Sequence, residues 1–181
     1  MIFAETERFI LREIVPEDAA GFFAMDSDPE VHRYLGNKPL TSGEEAEAVI
    51  DFIRRQYITN GIGRWAIIEK TTGEFAGWTG FKLITQPING HNNFYDLGYR
   101  LLRKYWGRGI ATETGKACLG YAFEKMKLEN VYAMADIDNA SSNHVLVKLG
   151  FTKNGIFFYE DIAHNWYELN ATDWKQQQPG Q

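Results

Sequence analysis

The sequence has 181 residues, enough for one domain with a sizeable core, and its 44% hydrophobic, 14% aromatic and 24% charged make-up excludes a disordered chain. A formal net charge of −5 argues against nonspecific binding to nucleic acid, which is held through lysine and arginine, and suits a cationic substrate without requiring one. The single cysteine, Cys118, excludes an internal disulfide, and the four histidines, His32, His91, His144 and His164, lack metal-ligand spacing, so no metal is expected.

The chain starts with an acidic stretch, Met1 to Glu7, that lacks the basic and apolar regions of a secretory signal. No apolar run is long enough to span a bilayer, so the expected location is the cytoplasm, with no membrane partner. Ile10, Leu11 and Ile14 predict a short strand, and Pro16-Glu17-Asp18 suits the first turn of a helix after it. Thr41 or Ser42 can cap a second helix reaching about Tyr57, with Ala46, Ala48, Val49, Ile50, Phe52 and Ile53 as its apolar face and Asn60 to Gly63 as its stop. Three antiparallel strands follow, Trp65 to Glu69, Phe75 to Ile84 and Phe94 to Leu102, separated by the turns Thr71-Thr72-Gly73 and Pro87 to Gly90. Gly107 and Gly109 break the pattern, and a helix runs to about Met126 with Ile110, Thr114, Ala117, Cys118, Tyr121 and Ala122 on one stripe. Val131 to Ile137 reads as a buried strand, and Ser141 and Ser142 can cap a short helix that Gly150 ends. Strands around Phe151 to Glu160 and Trp166 to Leu169 complete a single domain over residues 1–174, and residues 175–181 read as a disordered polar tail. The order predicts an α+β fold with one mixed, mostly antiparallel sheet flanked by helices.

The segment from Asp96 to Glu113 carries the most chemistry. A strand enters a tight glycine turn that opens a helix, so unpaired N–H groups converge at the positive end of the helix dipole and form an anion cradle. Glycine at 107 and 109 lets the backbone turn sharply and approach a diphosphate without an intervening Cβ. Known phosphate loops of other kinds do not fit. Five residues rather than four separate Gly109 from Gly115, and Ala117 stands where a Walker loop needs serine or threonine. Thr112 occupies the third glycine position of a dinucleotide fingerprint, and no Gly-x-Ser-x-Gly elbow is present.

Trp106-Gly107-Arg108-Gly109-Ile110-Ala111 resembles the cofactor motif of the GNAT superfamily, with tryptophan at its first position as in the RimJ/RimL branch. A second block, Asn139 to Phe151, is similar to that branch's Asn-x-x-Ser-x-x-Val-Leu-x-Lys-Leu-Gly-Phe. A looser resemblance extends from Glu7-Arg8 to Asp173-Trp174. The resemblance implies the acyl-CoA N-acyltransferase fold with a splayed central strand pair, and acetyl-CoA as cosubstrate without a metal. It implies that Leu101 and Leu102 offer main-chain hydrogen bonds to pantetheine, and that Trp106, Gly107, Arg108, Gly109, Ile110, Ala111 and Thr112 form the diphosphate loop. Asn139 and Ser142 would contact the pantetheine arm.

Acetyl transfer to an amine by direct attack in a ternary complex needs a neutral nucleophile, an oxyanion donor and a proton for the leaving thiolate. Deprotonating an amine of pKa about 10.4 near neutral pH costs roughly 4–5 kcal/mol. Asp96 aligns with a position the family often fills with glutamate and is the candidate base, through water; its alternative reading is a solvated carboxylate at a strand start. Ser142 is the candidate acid, alternatively a plain helix cap, and a main-chain N–H of Leu101 or Leu102 is the candidate oxyanion donor. Glu113 reads as structural in a first helical turn, and Cys118 as buried and inert. Trp65, Trp78, Phe81 and Tyr34 read as core before acceptor pocket, and His91 and His144 as surface residues. The acceptor is a protein N-terminal amine or a small amine, with selectivity in the loops Arg33 to Leu40 and Thr85 to Asn93. A homodimer is left open. The rival readings are a catalytically silent acyl-CoA-binding module and a nucleotide-binding protein.

Overall fold

The computed structural model of the chain describes residues 1–177. Its strands are β1 (Ile2–Glu5), β2 (Phe9–Glu13), β3 (Arg64–Glu69), β4 (Phe75–Ile84), β5 (Phe94–Leu101), β6 (Asn130–Asp136), β7 (Thr152–Tyr159) and β8 (Ile162–Asn170). They form one sheet in the order β1-β2-β3-β4-β5-β6-β8-β7. Every neighbouring pair is antiparallel except β5 and β6, which the helical crossover between them makes parallel. The helices are α1 (Ala19–Asp26), α2 (Pro29–His32), α3 (Gly43–Asn60), α4 (Ile110–Gly120), α5 (Ala140–Lys148) and α6 (Ala171–Gln177). This is the α+β arrangement expected. No helix among the described residues is long and apolar enough to cross a membrane.

The two faces of the sheet are covered separately. Leu11, Trp65, Ile67, Phe81, Leu97 and Leu101 pack with Ile110, Cys118 and Leu119 of α4, and α5 and α6 add Leu146 and Trp174. On the other face Ala66 and Ile68 pack with Phe22 and Met25 of α1 and with Ala46, Ile50 and Ile53 of α3. Beyond β5 that same face carries an aromatic cluster of Phe94, Phe157 and Trp166, covered by Ile88 from the loop between β4 and β5.

Several elements differ from expectation, each for a tertiary reason. β1 has little pattern of its own and exists because it pairs with β2 and because Phe3 stacks on Trp65 at 4.6 Å. α3 is capped by Ser42, whose Oγ accepts the Glu45 N–H, and it ends at Gly61 with φ of 69°. Its buried stripe is Ala46, Ile50, Ile53 and Gln56, so Ala48 and Phe52 point to solvent on the opposite side. α4 passes into a π-helical turn over Tyr121–Lys125 instead of continuing as a single α-helix. The cap of α5 is Asn139, not Ser141 or Ser142. Lys175 to Gln177 belong to α6, and Trp174 just before them is 6% exposed and stacks on Phe123. The rest of the expected tail lies outside the described residues.

Candidate active site

Asp96 opposite Tyr132 is the one register pair that joins β5 to β6, so the two strands part beyond it while each stays bonded to its other neighbour. The Leu102 N–H donates to the Ala76 carbonyl at 3.0 Å, continuing the register in which Trp78 faces Arg100 and Gly80 faces Gly98. Alternation along an antiparallel strand then turns the main-chain groups of Tyr99 and Leu101 away from β4 and into the gap. Leu102 is therefore not available for the expected role: its N–H is held by Ala76 and its carbonyl accepts the Tyr105 N–H at 2.9 Å. Tyr99 replaces it. Leu101 offers its N–H, and its carbonyl accepts the Trp106 indole N–H at 2.9 Å, which braces the glycine loop against β5.

The loop has the geometry the glycine spacing implies. Gly107 and Gly109 take φ of 72° and 73°, the left-handed region that side chains disfavour. Among the described residues none accepts a hydrogen bond from the N–H groups of Gly107, Arg108, Gly109, Ile110, Ala111 or Thr112. A Cβ built on either glycine meets nothing within 4 Å, so the space beside both is open. Consecutive unpaired donors at the start of α4, with no side chain on either glycine, fit a diphosphate. The loop is fixed from across the sheet by Arg8. Its Nε donates to Glu113 Oε2 at 2.7 Å, its Nη2 donates to the Arg108 carbonyl at 3.0 Å, and its N–H donates to Glu113 Oε1 at 3.2 Å. Burial acts to raise the Glu113 carboxyl, but hydrogen bonds with the Thr6 hydroxyl and with Arg8 together hold it below its ordinary value. Glu113 is structural as expected, but as an anchor for Arg8 rather than through the helix dipole alone.

Across the gap, Asn139 Oδ1 accepts the Ser142 N–H at 3.1 Å. The Tyr99 hydroxyl bonds both the carbonyl and the Oγ of Ser142 at 3.0 Å, linking β5 to α5. Burial pushes the Tyr99 phenol well above its ordinary value, so it stays protonated. Asn143 ties α5 to the sheet, with Nδ2 on the Asp136 carbonyl and Oδ1 accepting from Asn165 and from the Tyr167 hydroxyl. Sequence reasoning missed Tyr99 and Asn143 because their partners lie on other elements.

The opposite face of β5 is polar. Asp96 is buried, and its Oδ2 accepts from Arg64 Nη2 at 2.6 Å. Arg64 Nη1 also donates to the carbonyls of Asp96 and Gly80. A side chain at Gly98 would collide with this guanidinium, since a Cβ there lies 2.8 Å from Nη2. Burial raises the Asp96 carboxyl above the ordinary carboxylate range, with Arg64 opposing. Asp96 is thus not the solvated carboxylate of the alternative reading. Four residues beyond Asp96, Arg100 Nη1 donates to Asp26 Oδ2 at 2.8 Å, and both guanidinium groups lie over Trp78, at 5.0 Å for Arg64 and 5.1 Å for Arg100. His32 is buried beside Asp26, and desolvation lowers its pKa, with Arg100 adding to the effect. Trp65 and Phe81 are fully buried, whereas Trp78 is half-buried in this polar group. His144 is exposed as expected, but His91 stacks on Trp166 at 5.0 Å. Cys118 is buried beside Thr79, its thiol pushed up to about 12.

The family profile described as an acetyltransferase (GNAT) domain matches residues 8–152. An uncharacterized N-acetyltransferase of Bacillus subtilis, YoaA, is 34% identical over 152 residues, 84% of each chain. Spermidine N(1)-acetyltransferase of Escherichia coli is 26% identical over 157 residues, which is 87% of this chain and 80% of that one. The solved structure of RimL, a ribosomal L7/L12 α-N-protein acetyltransferase in complex with coenzyme A, shares the fold with a TM-score of 0.79 at 20% identity, over 96% of this chain and 99% of that one. The glycine loop and the parted strands thus belong to a GNAT domain. The chain is a member of the GNAT acetyltransferase family, an acetyl-CoA-dependent acetyltransferase with a RimJ/RimL-like fold.

Proposed function

We propose that the chain transfers the acetyl group of acetyl-CoA to a primary amine, on a protein N-terminus or a small molecule, by direct attack within the gap between β5 and β6. The observation that carries this reading is the run of unpartnered N–H groups from Gly107 to Thr112, which opens beside the part of β5 that has no partner on its β6 side. When bound, acetyl-CoA supplies the thioester carbonyl that the amine attacks. The loop binds its diphosphate, Asn139 and Ser142 flank its pantetheine arm, and the N–H of Tyr99 or Leu101 is the fixed donor for the carbonyl oxygen.

The amine reaches β5 from the face opposite α4, because α4 and its loop hold the carrier on the other side. Asp96 lies on that face. Its Oδ1 makes no protein hydrogen bond among the described residues, while Oδ2 is held by Arg64, so Oδ1 takes the amine's proton through a water. Ser142, held by Tyr99, gives a proton to the departing thiolate. Thiol release from acetyl-CoA, measured with a panel of amines, tests this reading. Release should require an amine, and Asp96→Ala should lower kcat by about 10²-fold or more while leaving the acetyl-CoA KM near its starting value. Equal rates in Asp96→Ala and Ser142→Ala would remove both residues from the chemistry.

A further inference from the structure

We infer that the acceptor amine carries an anionic group, a carboxylate in the first instance, and that Arg100 receives it. The inference rests on the acetyl-transfer reading and narrows its acceptor. Arg100 shares a strand face with Asp96, with only Gly98 between them, so no β5 side chain separates the proposed base from this guanidinium. The Arg100 side chain is 20% exposed.

Among the described residues Arg100 uses only Nη1, on Asp26 Oδ2. Nε and Nη2 have no acceptor among the described residues and form the side-on edge that matches two carboxylate oxygens. The guanidinium plane is already positioned by Trp78 and by Asp26. Asp26 is itself fixed, because its carbonyl accepts the Leu40 N–H at 2.8 Å. Little side-chain freedom remains to be lost when an anion docks. The bond from Asp26 to Leu40 also joins this arginine to the loop Arg33 to Leu40, where sequence reasoning put acceptor selectivity.

The same groups disfavour a polycation. Both carboxylates beside Trp78 are held by arginines, Asp26 by Arg100 at 2.8 Å and Asp96 by Arg64 at 2.6 Å. A second ammonium on the acceptor would face two guanidinium groups, and each carboxylate of the pair already has an arginine on one oxygen. Arg64 is the weaker receiver for the anion, since both its Nη atoms are engaged, by Asp96 and by the Gly80 carbonyl, whereas Arg100 uses Nη1 alone among the described residues.

Matched acceptors test the assignment on the intact protein by thiol release. The panel is L-alanine against L-alaninamide, an N-terminal alanyl peptide with aspartate at its second position against the same peptide with asparagine, and spermidine. A carboxylate preference of at least tenfold in kcat/KM in either pair, with spermidine below the preferred member, is the expected result, and the responding pair tells whether the acceptor is a free amino acid or a protein N-terminus. Ratios near one in both pairs, or spermidine as the best acceptor, overturn the assignment while leaving acetyl transfer in place. Release with no acceptor at all sinks acetyl transfer and this inference together. Because Arg100→Gln alone would strand a buried Asp26, the variant to use is the charge-neutral pair Arg100→Gln with Asp26→Asn. In it the carboxylate preference should collapse to about one with the acetyl-CoA KM within twofold; a preserved preference rules out Arg100.

Discussion

Arg8 and Glu113 lie 105 positions apart and meet at 2.7 Å, and the same guanidinium holds the carbonyl of Arg108. The turn between β1 and β2 thereby fixes the loop that opens α4. The side chain of Arg8 is 45% exposed, so solvent screens the pair and its contribution falls near the surface value of about 1 kcal/mol. Glu113→Gln and Arg8→Ala should each raise the acetyl-CoA KM roughly threefold to tenfold, with kcat changed less than twofold. Initial-rate kinetics with acetyl-CoA as the varied substrate checks this.

Gly107→Ala and Gly109→Ala act on the same loop by a different route. Each places a side chain at a left-handed φ, which costs about 1–2 kcal/mol, but the added methyl touches nothing in the protein. The fold should survive with a thermal midpoint lowered by a few degrees. CoA affinity, measured by calorimetry, should fall by about tenfold or more, because a side chain shifts the left-handed backbone that aligns the N–H groups.

Asp96 must be ionised to accept a proton, so activity is lost as pH falls through its pKa, which burial has raised. Arg64 favours the ionised form, and removing it raises that pKa further. Arg64→Gln should shift the acidic limb of the kcat/KM profile to higher pH, and Asp96→Asn should abolish that limb along with most activity. An acidic limb that stays in place in Arg64→Gln would assign it to another group.

Tyr99→Phe removes the hydroxyl that holds Ser142 but retains the ring. It should lower kcat about tenfold, with smaller changes in both KM values, and the solvent isotope effect on kcat should rise as proton delivery to the thiolate becomes limiting. Loss of acetyl-CoA binding instead would make Tyr99 a packing residue of the gap.

The sequence by itself determined the local features. The glycines at 107 and 109 and the left-handed stops at Gly61 and Gly150 depend on backbone dihedral preferences that a few neighbouring residues set. The alternation that builds β3, β4 and β5 is local in the same sense. Tertiary structure decided what depends on register and sheet order. Whether Tyr99 or Leu102 faces the gap is a matter of pairing parity with β4, and Asp96 changes from a solvated group to a buried one only when Arg64 crosses Gly98 to meet it. Arg100 with Asp26, Tyr99 with Ser142 and Arg8 with Glu113 are pairs whose members carry no local signal. Side chains pair when the packed sheet brings them within about 3 Å, and separation along the chain does not encode that distance.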